Sequence, residues 1–99
     1  MTRDPIASPS VVHDRDAGRF ESTVDGQHCE ASYEMIDGVM WLTHTGVPLR
    51  LQGRGIAARL VQAALDHARA HGLKVRPACS YVRSYMRRHP DTLDLVDSA

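Results

Sequence analysis

The sequence predicts an α+β fold, sandwich-like in its layering: a mostly antiparallel sheet, one β-α-β crossover and a short C-terminal helix. Three observations predict it. Two Asp-Gly pairs, Asp25-Gly26 and Asp37-Gly38, separate stretches whose apolar residues alternate. From Gln52 to His71 the apolar residues recur instead at spacings of three and four. Gly72 closes that stretch, and a short segment from Leu73 to Ala78 follows it.

Each element can be justified in order. Residues 1–10 hold Pro5, Ser8, Pro9 and Ser10 without periodicity, which predicts a flexible tail before a single domain over 11–99. Val11-Val12-His13 reads as a short strand, and Asp14 to Gly18 as a turn. Arg19 to Val24 alternates, and so does Gln27 to Ile36, with Cys29, Ala31, Tyr33 and Met35 on one face. Asp-Gly between alternating strands signals a hairpin, because Gly accepts the positive φ of a tight turn. Val39 to Val47 makes a further strand, so the run is an antiparallel meander. Pro48 ends the ladder, having no N–H to donate. Ile56, Leu60, Val61, Ala64, Leu65 and Ala68 share one face of a helix, which Gly72 terminates. Leu73 to Ala78 then returns beside Val39–Val47 as a parallel neighbour, in a right-handed crossover. Cys79 or Ser80 can cap a last helix from Tyr81 to Arg88, with Pro90 beyond its end. Leu93, Leu95 and Val96 are expected to pack back onto the domain.

With 99 residues, 42% of them hydrophobic, the chain can build one small core. No apolar run nears the roughly 18 residues of a membrane span. Met1 to Pro5 lacks the apolar stretch of a signal peptide. A soluble, cytoplasmic protein is expected. Cys29 and Cys79 form no metal-ligand pattern, and a reducing compartment disfavours a disulfide. His67 and His71 stand four apart on the helix, but no carboxylate or cysteine accompanies them at ligand spacing, so no metal is expected.

Net charge is zero but unevenly spread. Residues 1–49 carry three Arg against eight Asp or Glu; residues 50–88 carry nine Lys or Arg against Asp66 alone. The basic block suits an anionic partner, or a solvated helix face. Its stacking aromatics are Tyr81 and Tyr85, and the overall pI is about 7.0, which argues against nucleic acid.

The chemistry concentrates in Arg50-Leu51-Gln52-Gly53-Arg54-Gly55, between strand and helix. Gly53 and Gly55 let a ligand approach the backbone closely. The first N–H groups of a helix have no internal partner, and the helix dipole makes that end electropositive. Together they can cradle a phosphate. A short Gly-x-Gly is also a common tight turn. A dinucleotide fingerprint lacks its third glycine, because position 58 is Ala58, and no Gly-Lys-Ser/Thr of a P-loop is present.

Arg50-x-x-Gly53-x-Gly55, followed by Ile56-Ala57, resembles the pyrophosphate motif of the GCN5-related N-acetyltransferases (GNATs), Arg/Gln-x-x-Gly-x-Gly/Ala. His44-Thr45-x-Val47-Pro48, then Pro77-x-Cys79-Ser80-Tyr81-Val82 and His89-Pro90, resemble a subgroup of minimal, single-domain members of about 100 residues. The likeness spans residues 11–96 and implies a minimal GNAT fold, with acetyl-CoA or coenzyme A as cofactor and an amine as acceptor. It implies a central strand splayed from its parallel neighbour, with the pantetheine arm in the gap. Val47 would lend backbone groups to that arm. Gln52, Gly53, Arg54, Gly55, Ile56 and Ala57 would surround the pyrophosphate, and Cys79-Ser80-Tyr81 would lie near the thiol end.

The catalytic candidates are Cys79, His44 and Tyr81. Cys79 is a nucleophile, or fills space beside the cofactor; a helix N-terminus would favour its thiolate. His44 is the first candidate for the base, ahead of Glu30, because an imidazole can exchange a proton near neutral pH. Tyr81 or Tyr85 could serve as the acid. Arg50, Ser80 and Arg83 complete the cofactor set; Arg83, Arg87 and Arg88 share a helix face that could meet a 3′-phosphate or only solvent.

Ordinary family members carry helices between their first two strands, where this chain has only Asp14 to Gly18. The acceptor site is therefore expected to be open, suiting a protein lysine or N-terminus, or to be completed by another chain. A monomer or weak dimer is expected. The competing reading is a coenzyme A-binding module with little catalysis, acting as a sensor or partner protein.

Overall fold

The computed structural model describes residues 10–97, so all of the expected tail except Ser10 lies outside the described residues. One five-stranded sheet runs in the order β1 (Val12–Asp14), β2 (Arg19–Val24), β3 (Gln27–Ile36), β4 (Val39–Gly46) and β5 (Lys74–Pro77). The first four strands are antiparallel neighbours, and β5 lies parallel to β4. Helix α1 (Ile56–Ala70) makes the crossover from β4 to β5, and α2 (Ser80–Arg88) follows β5. The fold is the predicted α+β arrangement.

The hairpins form as their turn residues dictate. Asp25 and Asp37 both have φ of 51°, and the glycines after them have φ of 75° and 78°. Two successive positive φ values give the turn whose twist matches the flanking strands. The β1–β2 turn depends on Gly18. Its φ is 71°, and a Cβ there would stand 2.7 Å from the carbonyl oxygen of Tyr33. In return, the Tyr33 N–H donates to the Gly18 carbonyl at 2.8 Å, fastening the turn to β3.

Burial separates the two sheet faces. Phe20, Cys29, Ala31, Tyr33, Met40, Leu42 and Val75 share one face and pack with Leu60, Val61, Ala64 and Leu65 of α1. Val82, Tyr85 and Met86 of α2 join the same core. On the opposite face no strand residue is buried. The helices thus form one layer, and the other side of the sheet is open.

Some expectations are corrected. α1 begins at Ile56 rather than near Gln52, because Gly53 and Gly55, at φ of 86° and 80°, leave the helical region. Leu49–Leu51 form a 3₁₀ turn instead. Met35 sits on the predicted core face but is 47% exposed, lying at the hairpin end of β3. Leu93 is 46% exposed, whereas Leu95 is buried and Val96 bridges to Val75. β1 starts at Val12, β4 stops at Gly46, β5 is shorter by one residue at each end, and α2 starts at Ser80.

A bulge in β4 positions the site. Tyr33 pairs with Leu42 and Ser32 with His44, so Thr43 is an extra residue in the ladder. Beyond it, Thr45 pairs with buried Ala31 and faces the helices, while His44 pairs with Ser32 on the open face. The β4–β5 ladder ends at Leu42 and Pro77, and the Cys79 N–H donates to the Leu42 carbonyl at 3.0 Å. From Thr43 onward β4 has no parallel neighbour, and a gap opens there.

Candidate cofactor and active site

The start of α1 is bare. Its N-cap is Gly55 in the left-handed region, with no side-chain cap and no acidic residue in the first turn. The Arg59 N–H is the first to bond back, reaching the Gly55 carbonyl at 3.1 Å. Among the described residues no backbone acceptor takes the N–H groups of Ile56, Ala57 or Ala58. Such donors ask for an external acceptor, and an anion answers both them and the dipole. A Cβ at Gly53 or Gly55 would meet nothing within 4 Å, so the space before them is open.

That space belongs to a cavity of about 520 Å³ lined by Thr45, Val47, Leu51, Gln52, Gly53, Gly55, Ile56, Ala57, Ala58 and Tyr81. It runs from the bare helix start to the first turn of α2. The Gln52 side-chain amide donates to the Val47 carbonyl at 3.0 Å, so this side chain braces the loop against the end of the strand. The fit for a pyrophosphate is therefore one of backbone donors, two glycines and a channel, rather than of fixed cations.

Two of the candidate cations, Arg54 and Arg83, meet other partners. Arg54 reaches Asp25 in the first hairpin at 3.2 Å, with both side chains about half exposed. Arg83 donates to the carbonyls of Pro77 and Ala78, both at 3.0 Å, and so clasps the turn from β5 into α2. Arg50 stands exposed in the 3₁₀ turn, and Ser80 is exposed at the start of α2.

The reaction-centre candidates divide between the two faces. Cys79 is the N-cap of α2, and its Sγ lies 3.6 Å from the Thr45 hydroxyl. Burial pushes its thiol up, but the backbone N–H dipole of Val82, the Thr45 hydroxyl and the N–H dipoles of Tyr81 and Thr45 outweigh this and hold it below the usual thiol value. Cys29 behaves oppositely, because burial alone raises it. Tyr81 lines the cavity, whereas Tyr85 bonds to Gln62 of α1 and stacks on His89. His44 lies on the open face, with its ring folded over Gly46, where a Cβ would stand 3.0 Å from Nε2. Glu30, across from Gly46, takes a hydrogen bond from His28 at 2.8 Å; that contact first, helped by Ser32, holds its carboxyl below the usual range.

Thr45, Leu51 and Ala58 also line the cavity and were not among the predicted site residues. Thr45 stands inside the motif His44-Thr45-x-Val47-Pro48, but the bulge that turns it toward the cavity is not displayed by the sequence. His67 and His71 stack on each other rather than converging on an ion, and among the described residues no group of three or more His, Cys, Asp or Glu could hold a metal. No described helix is long and apolar enough to cross a membrane.

Known proteins resemble this chain in sequence or in fold. Protein NATD1 of Xenopus tropicalis is 37% identical over 90 residues, covering 88% of this chain and 83% of its own length. Protein NATD1 of Homo sapiens is 37% identical over 83 residues, covering 81% and 74%. A GCN5-like protein from Staphylococcus aureus, solved in solution by NMR, superposes with a TM-score of 0.73 at 23% identity, over 95% of this chain and 93% of that one; it shows the same fold. The profile of the family described as GCN5-related N-acetyl-transferase matches residues 19–95, which hold the bare helix start, the gap beside β4 and Cys79 alike, and the chain belongs to that family.

Proposed function

We propose that the chain is an acetyl-CoA-dependent N-acetyltransferase whose acceptor is a primary amine, on a protein lysine or N-terminus. One observation carries this reading: the uncapped start of α1, with its left-handed glycine, faces a cavity that leads to the gap beyond Leu42. Bound acetyl-CoA would supply an acetyl group on a thioester, open to attack by an amine. The N–H groups of Ile56, Ala57 and Ala58 would hold the pyrophosphate, and Gln52 braces the loop against Val47. Tyr81 gives a proton to the departing sulfur from the cavity wall. His44 receives the proton that an acceptor ammonium must lose, from the open face where a large substrate has room. Cys79, with its lowered thiol, is the alternative first nucleophile. The two free thiols suit a reducing, cytoplasmic setting.

A coenzyme A-binding module with little catalysis is the second reading. It is favoured by the placement of His44 on the face away from the cavity. Calorimetric titration with acetyl-CoA and coenzyme A, followed by thiol release in the presence of lysine peptides and polyamines, separates the two. Binding with turnover supports the enzyme. Binding without turnover supports the module. No binding at millimolar cofactor overturns both.

A further inference from the structure

At the far end of α1 from the cofactor loop, five rings from four elements meet. His13 of β1 stacks on Phe20 of β2, with centroids 4.1 Å apart. Its edge meets His67 of α1 at 4.5 Å, and His67 stacks on His71 at 4.2 Å. His13 Nε2 and the Tyr33 hydroxyl of β3 are 2.5 Å apart, and either can donate. β1 has few other holds. Its ladder to β2 is three residues long, and Val12 is 57% exposed.

We propose that the imidazoles of His13, His67 and His71 form a pH-sensitive joint, which holds β1 against α1 at neutral pH and releases it on acidification. Three imidazoles in ring contact pack well when neutral. A proton on one places a cation against the next, and a second proton adds like-charge repulsion. Protonation also makes both nitrogens of a ring donors, so the bond between His13 and Tyr33 can then run only from the imidazole to the phenol oxygen. The charged groups around the joint do not cancel this. Arg15 and Asp16 come from the β1–β2 turn, Asp14 from β1 and Glu34 from β3. Burial, more than Arg15, holds His13 below its ordinary value and overcomes Asp14. Burial, then His13 and His71, does the same for His67. The sign follows. The folded state prefers the neutral rings of His13 and His67, so the stability these two contribute is complete above the unfolded value of 6.5 and is lost as pH falls through the lowered folded values. The loss is local to β1, because the cofactor loop sits at the opposite end of α1.

Amide hydrogen exchange on the full chain tests this, at about pH 7.5 and about pH 5.5 and corrected for intrinsic rates. Protection of the β1–β2 ladder should fall about tenfold on acidification while that of β3–β4 holds. The variant His67→Phe should keep its β1–β2 protection within about twofold. Equal protection of β1 at both pH values, or an equal loss over the whole sheet, overturns the joint. If His67→Phe fails to fold, the C2–H resonances of the native imidazoles decide. Midpoints below the ordinary imidazole value for both His13 and His67 support the proposal, and an ordinary midpoint for either overturns it.

Discussion

The Thr45 hydroxyl lies 3.6 Å from Cys79 Sγ, joining β4 to the start of α2 where the parallel ladder has just ended. The contact spans the mouth of the gap and helps to set the ionisation of the one thiol near the cavity. Thr45→Val keeps the shape and removes the hydroxyl. The Cys79 thiol should then rise toward its ordinary value, so that alkylation at neutral pH slows. The rate of iodoacetamide labelling against pH, with Cys29 as the buried internal control, measures the shift; an unchanged profile would show that Thr45 does not act on the thiol.

Gly53→Asp should abolish cofactor binding while leaving the fold intact. A Cβ there would meet no heavy atom within 4 Å, so the substitution opens into the cavity rather than onto a neighbour. The carboxylate also opposes an anionic ligand at the helix start. The φ of 86° adds backbone strain of about 1–2 kcal/mol. Circular dichroism should be unchanged, and calorimetry should show affinity weakened by at least about a hundredfold, on the order of 3 kcal/mol.

Cys79→Ala separates the two nucleophiles. With direct attack by the amine, turnover falls only a few-fold, on the order of the loss of one packing contact. With Cys79 as first acceptor of the acetyl group, turnover is lost and binding of coenzyme A persists. Mass spectrometry of the native chain after exposure to acetyl-CoA alone provides the check, since only the second route labels Cys79 without an amine.

His44→Gln should lower turnover by about a hundredfold or more if the side chain removes the acceptor's proton, with cofactor affinity unchanged. The measurement is thiol release at saturating acetyl-CoA across a pH series. Retained turnover would leave the acceptor's proton to another group.

Gly18→Ala should destabilise the chain by about 2–3 kcal/mol, because both strain and a clash act at one position. For a domain of this size that lowers Tm by roughly 10–20 °C. A thermal melt followed by circular dichroism reads it directly.

Much of this molecule is legible in its sequence where the determinants are local. Asp25-Gly26 and Asp37-Gly38 declare their turns, because few other pairs take two positive φ values in succession. The spacing from Ile56 to Ala68 declares the helix and its buried face. The glycine loop declares a phosphate cradle, because the cradle is backbone and the residues that free it are adjacent. What the sequence hides is non-local. Alternation counted from Met40 and Leu42 would turn His44 toward the helices; one extra residue, Thr43, reverses this, and no residue type marks it. Arg54 and Arg83 suggest phosphate ligands by proximity in sequence, yet one reaches Asp25 and the other clasps carbonyls before its own helix. His13 and His67 are brought together only by the order of strands under α1.

The uncovered face of the sheet has a consequence for how this chain can change over generations. Positions such as Thr23, Glu34 and Ile36 are exposed there and answer to water and to whatever lands on them, not to a second layer of helices. Substitutions on that side leave the core and the helix start untouched, so one half of the surface can drift toward a new client while the other keeps its grip on the same small molecule.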